Sequence, residues 1–227
     1  MTKGERMVEL ARRRRAARWP GYAQVGDYCG GAYESDDVSP FSRSAGNLDA
    51  DVFLLLQDWS SSEFLSKPID DEVRALGHKP GLRTNINLKK LLLEHFSLEL
   101  RDCFGTNLFP FIKQGSLKVD IPTADMTRAA VEYALPQIEI VRPRLVVCLG
   151  LSTFGALQRA TGRKPSASMD AAIAAPFDHG VSRVWCQAHP GQQGQNMRNR
   201  GNKNRTDDDW RRMTAAVALT RGATLTP

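Results

Sequence analysis

The chain has 227 residues, with 31 Lys and Arg against 25 Asp and Glu and a formal net charge of +6. That length can bury a full core in one domain without disulfides, and the charge favours a polyanionic partner. The four cysteines, Cys29, Cys103, Cys148 and Cys186, lie far apart with no C-x-x-C pair, which argues for reduced thiols and against a clustered zinc or iron–sulfur site. No apolar run reaches the length of a membrane span, and no signal-peptide core follows the basic N-terminus. The expectation is a soluble, cytoplasmic, monomeric protein with no metal and no cofactor.

Residues 4–18 contain good helix formers, with Met7, Leu10 and Ala11 at helical spacing and a basic block from Arg12 to Arg15. That block reads first as a solvated helix face and second as a phosphate contact. From Trp19 to Asn47 the chain is rich in Gly, Ser, Pro and Asp, which predicts loop wrapped against the body. Residues 1–47 thus form an N-terminal helix and wrapping loop, and 48–227 form the main α/β body. The run Val52-Phe53-Leu54-Leu55-Leu56 predicts a strand buried on both faces, ending on Gln57-Asp58-Trp59 and three serines. A short acidic helix is expected between Lys67 and Pro80. An amphipathic helix follows through Leu88, Leu91, Leu92, His95 and Phe96, capped by Thr84 or Asn85.

Arg101 to Asn107 is a second strand closing on Asn107, and Thr123 to Val141 is a helix kinked at Pro136 and ended by Pro143. Arg144 to Gly150 is the clearest strand and leads into a helix from Ser152 to Thr161. Polar and alanine-rich residues 163–180 lead to a last strand, Ser182 to Ala188, which ends on His189-Pro190-Gly191. Gln192 to Arg205 reads as the least globular segment, carrying Arg198, Arg200, Lys203 and Arg205 with no acid. Asp207 to Asp209 cap a final helix through Trp210, Met213 and Val217. Alternating strands and helices predict an α/β fold, a three-layer α/β/α sandwich around a central four-stranded parallel sheet.

In such a sheet the C-terminal strand ends share one edge, where ligands bind, so Gln57, Asp58, Asn107 and His189 can converge. Taken singly, Asp58 reads as a turn cap, Asn107 as a turn residue and His189 as a core or cap histidine. The G-x-G-x-x-G fingerprint is absent, and Gly150-Leu151-Ser152 lacks the Lys of a phosphate loop.

The order of a strand-ending Gln57-Asp58, a strand-ending Asn107 and a strand-ending His189-Pro190-Gly191 with a basic segment after it resembles the uracil-DNA glycosylase superfamily. The resemblance covers about residues 51–215 and includes PRLVVCLGLSTFGAL from Pro143 to Leu157. It implies hydrolysis of the N-glycosidic bond of uracil or a related deaminated base in DNA. Under it, Gln57 faces the base with its backbone, Asp58 orients or deprotonates the attacking water, Asn107 reads the O4 and N3 edge, and His189 hydrogen-bonds O2 as charge gathers on the leaving base. Gln192, Met197, Arg198, Arg200 and Lys203 are implied on DNA, with Met197 as the wedge and the basic side chains on phosphates. For Asn199 to Arg205 the other reading is a mobile solvated loop. The family's small residue before the motif is Leu56 here, its proline after the aspartate is Trp59, and its methyl-excluding tyrosine is Ser60. The aromatic that stacks on the base is open between Trp59, Phe64 and His78. Two other readings stand beside it: a glycosylase-fold DNA-binding protein without catalysis, and an unrelated α/β hydrolase or nucleotide-binding enzyme.

Overall fold

The computed structural model describes residues 1–201 and 203–222, with side chains described as far as Val217. The first helix, α1 (Lys3–Ala16), starts on a reciprocal cap: the Thr2 hydroxyl accepts from the Glu5 N–H and the Glu5 carboxylate accepts from the Thr2 N–H. It buries Met7, Leu10 and Ala11 as expected, and also Arg14 from the basic block, which pairs with Glu34. Burial alone would raise the Glu34 pKa, but hydrogen bonding and charge from Arg14 outweigh it and hold the carboxyl below its ordinary value. The segment up to Asn47 is irregular, with a two-residue strand β1 (Tyr22–Ala23) and short 3-10 turns, the last at Pro40–Arg43.

The chain then runs β2 (Val52–Asp58), α2 (Ser62–Leu65), α3 (Asp71–Leu76), α4 (Arg83–Phe96), β3 (Phe104–Phe109) and β4 (Ile112–Lys113), the last pairing antiparallel with β1. Next come α5 (Thr123–Ala129), a π turn over Ala130–Ala134, and α6 (Leu135–Val141). Pro136 has no N–H to give, and the wide turn before it absorbs the misfit that predicts a kink. The rest is β5 (Leu145–Leu149), α7 (Leu151–Ala160), α8 (Met169–Ala174), β6 (Phe177–His179), β7 (Ser182–Gln187), α9 (Gln192–Arg198) and α10 (Arg205–Gly222).

The main sheet has the order β3-β2-β5-β7-β6, with helices flanking it. It is five-stranded, not four-stranded, because β6 joins β7 antiparallel through a tight turn at Gly180, where φ is +58°. Three residues with one apolar side chain carry no alternation, so the polar lead-in hides an edge strand. The four strands read from sequence pair in parallel. Along them, alternate residues feed opposite layers: Phe53, Leu55, Val146, Cys148, Val184 and Cys186 face one core, and Leu54, Leu56, Val147, Leu149 and Trp185 the other. Met7, Leu10, Trp19 and Val38 belong to the first core, so residues 1–47 are packed into the body.

Three local expectations change. Helix α4 begins at Arg83 after Leu82 without a side-chain cap, and the buried Asn85 amide donates to the Lys79 carbonyl instead (2.8 Å). Strand β3 continues two residues past Asn107, since Leu108 and Phe109 extend its buried run. Gln192–Arg198 is helical, and α10 begins at Arg205, which puts Asp207 and Asp208 in its first turn near the positive end of the dipole. All four cysteines are free, with Cys103, Cys148 and Cys186 buried. Among the described residues no helix is long and apolar enough to cross a membrane.

Candidate active site

The chain enters the sheet at β2, adds β3 on one side, and crosses to β5 and β7 on the other, so the strand order reverses beside β2. A crevice is expected at the carboxyl edge of such a switch point. A cavity of about 260 Å³ lies there, lined by Gln57, Asp58, Trp59, Asn107 and His189 together. That is just below the usual range for ligand sites, which run from roughly 300 Å³ upward. Phe64 and His78 also line it, as do Phe41, Ser60, Thr84 and Asn85.

Asp58, His189 and Asn107 are each held by a specific partner. Asp58, at the end of β2, forms an ion pair with Lys113 of β4 at 2.9 Å, with only 12% and 4% of the two side chains exposed. The ammonium also donates to the Leu117 carbonyl at 2.7 Å, which fixes it behind the carboxylate. His189 follows β7. Its Nδ1 accepts from the Gly191 N–H at 3.0 Å, so a neutral ring carries its proton on Nε2. Burial lowers the His189 pKa, opposed by the Asp58 charge, and the neutral ring is favoured. Two side-chain amides brace this turn: Asn87 of α4 donates to the Pro190 carbonyl at 2.7 Å, and α9, folding back, brings Gln195 to donate to the His189 carbonyl at 3.3 Å. Gly194 permits that return, because a Cβ there would stand 2.3 Å from the His189 carbonyl oxygen.

Asn107 is buried in β3, and its Oδ1 accepts from the Ser39 hydroxyl at 2.6 Å. Ser39 heads the Pro40–Arg43 turn, which lies against β3 at Gly105, where a Cβ would come within 2.8 Å of the Phe41 ring. Glycine at 105 therefore admits the N-terminal segment as one wall of the cavity. Trp59 is held by its Nε1–H on the Gly77 carbonyl (2.7 Å) and packs edge-on against Tyr33. His78 packs at a tilt on Phe41, with centroids 5.4 Å apart. Its Nδ1 lies 3.1 Å from the Leu76 carbonyl, and its Nε2 is buried with no hydrogen-bond partner among the described residues. The same holds for Ser60 Oγ.

The segment after His189 divides. Gln192 and Met197 are exposed, the latter 56%, and Arg200 and Lys203 face solvent. Arg198 is engaged: its guanidinium binds the buried Asp209 at 2.5 and 3.0 Å and also pairs with Asp170. The phosphate contact expected of it meets an occupied group, because α9 packs on α10 and sets the two residues face to face.

Elsewhere, Glu94, His95 and Asp207 bring ligand atoms within 4.8 Å of one another, the arrangement closest to a metal site among the described residues. Lys90 and Arg211 pair with those carboxylates and offset the negative charge a cation would need. Sequence reasoning missed Ser39, Phe41 and Lys113. Ser39-Pro40 carries a recognisable helix-start signal, and Lys113 is a lone cation closing the apolar run from Leu108 to Ile112. No protein-family model matches the chain, and no curated protein matches it.

Proposed function

We propose that the protein is a monofunctional DNA glycosylase that hydrolyses the N-glycosidic bond of uracil or a related deaminated base. The observation that carries this reading is the meeting of Asp58, Asn107 and His189, from three separate strands, around one cavity with Gln57 and Trp59. In this scheme water is oriented by Asp58 and its oxygen bonds to the sugar C1′. The C1′–N bond breaks with its electron pair on the base, and the water's proton passes to the carboxylate. His189 donates from Nε2 to the base oxygen on which charge gathers, while Asn107 holds the far edge. The base must first leave the duplex, at a few kcal/mol, and exposed Met197, Arg200 and Lys203 are the groups available to offset that.

A second reading, a base-binding protein of the same architecture without catalysis, is favoured by the Asp58–Lys113 pair, which occupies one oxygen of the carboxylate. Base release from uracil-containing oligonucleotides separates the two. The first reading expects release by the wild type, and losses of about 10²–10⁴-fold in Asp58→Asn and His189→Ala. Wild-type protein that binds DNA yet releases nothing from uracil, hypoxanthine or xanthine substrates decides for the second.

A further inference from the structure

We propose that Glu94, His95 and Asp207 form a zinc site that fastens helix α4 to the first turn of α10. The three residues lie in a groove of about 620 Å³ that shares no lining residue with the cavity at the sheet edge, so the site stands whether or not the protein is a glycosylase.

His95 lies in the last turn of α4 and Asp207 in the first turn of α10. The His95 side chain is only 9% exposed, and its ring lies tilted on the buried Trp210 with centroids 6.0 Å apart, which holds the imidazole in place. Its Nε2 stands 3.1 Å from Asp207 Oδ1, close enough for a hydrogen bond. It makes none: the nitrogen is buried and without a partner among the described residues, because the ring N–H direction misses the oxygen. Two ligands of one tetrahedral zinc, bonded at about 2.0–2.1 Å, stand roughly 3.3 Å apart and point at the ion instead of at each other. One ion therefore accounts for both the short approach and the missing bond. Glu94 brings a carboxylate oxygen within 4.8 Å of the other two atoms and makes a third ligand. A solvent water from the groove completes a four-coordinate set. The imidazole selects zinc over magnesium and calcium, which prefer oxygen alone.

Lys90 and Arg211 lower the affinity without taking the position. Arg211 binds Asp207 through Oδ2 and leaves Oδ1 to His95. Lys90 stands 3.6 Å from Glu94 Oε1 in an exposed pair, which solvent screens and a doubly charged ion can displace. Their charges balance the two carboxylates, so the site binds more weakly than a closed four-ligand one, and removing either cation should tighten it. The helices joined here are the ones that steady the His189 turn. Helix α4 carries Asn87, bonded to the Pro190 carbonyl, and α10 carries Asp209, which grips Arg198 of α9.

The test is calorimetric titration of the full, metal-free chain with zinc chloride and, separately, magnesium chloride. Wild type is expected to take one zinc with a dissociation constant below about 100 µM and to bind magnesium at least about 10-fold more weakly. His95→Gln and Glu94→Gln are each expected to weaken zinc at least about 10-fold, and Lys90→Ala to tighten it at least about 3-fold. With zinc at about 100 times its dissociation constant, the melting temperature should rise by roughly 5–11 °C in the wild type and by no more than about half that in Glu94→Gln. A wild-type constant above about 100 µM, equal affinity for magnesium, zinc affinity unchanged in Glu94→Gln, or weaker zinc binding in Lys90→Ala overturns the proposal. Should His95→Gln not fold, cobalt(II) titrated into the wild type decides between imidazole and thiol. Visible absorption of a four-coordinate site without a near-ultraviolet thiolate band supports the proposal, and a thiolate band puts the metal on cysteine and overturns it.

Discussion

Replacing Lys113 by Met removes a buried ammonium and keeps most of its stem. In the wild type the charge sits 2.9 Å from Asp58 and 2.7 Å from the Leu117 carbonyl, in a side chain only 4% exposed. The substitution leaves a carboxylate, itself 12% exposed, without its counter-charge. Breaking a buried pair in this way costs about 3–5 kcal/mol. For a chain of this size each kcal/mol moves the midpoint by about 2–4 °C, so the melting temperature should fall by roughly 6–20 °C. Urea unfolding of wild type, Lys113→Met, Asp58→Asn and the double variant forms a cycle, and a coupling of at least about 1 kcal/mol is expected. In the base-release assay the loosened carboxylate should lower kcat by about 10–100-fold with little change in KM. A single variant within about 1 kcal/mol of wild type, or a coupling near zero, would refute the claim that Lys113 holds Asp58 in place.

The basic segment after His189 should respond according to partnership. Arg198→Ala is expected to cost about 3–5 kcal/mol of stability, because Asp209 is left buried and unpaired, and to leave the salt dependence of DNA binding unchanged. Arg200→Ala and Lys203→Ala should leave stability alone and each reduce the slope of log K against log salt by about one; equal slopes for all three variants would contradict this division. The pH dependence of stability follows from His78, whose pKa in the fold lies below the 6.5 of an unperturbed ring. Above that value both states are neutral at this position and it contributes nothing. As pH falls below it the unfolded chain takes up a proton that the fold resists, and stability drops by up to about 1.4 kcal/mol per pH unit until the folded-state pKa is passed. His78→Phe lacks this loss, so urea midpoints at pH 7.5 and 5.5 should diverge less for the variant, and parallel curves would refute the assignment.

Strands β2, β5 and β7 could be read from the sequence because a strand buried on both faces needs an unbroken apolar run, and each has one. Their shared carboxyl edge then made the meeting of Asp58 and His189 foreseeable. Asn107 was placed at the same edge by residue type, and it lines the cavity although its strand runs on to Phe109. The wall made by Phe41, with Ser39 bonded to Asn107 beside it, was hidden, since an irregular segment has no periodicity and its position depends on a glycine in another element. The pairing of Arg198 was hidden for a related reason. Its acids, Asp209 and Asp170, stand 11 and 28 residues away, outside the window in which the segment looked wholly basic.

The bond between Ser39 and Asn107 spans 68 residues of chain. At roughly 5–20 residues per second, a ribosome needs about 3–14 s after making the serine before the asparagine exists. During that interval the N-terminal wall has nothing to close against, and Phe41, 3% exposed in the finished fold, is among the side chains left without their cover. Safe emergence of the nascent chain therefore draws on this contact, and a variant that loosens it should surface as poor recovery in cells.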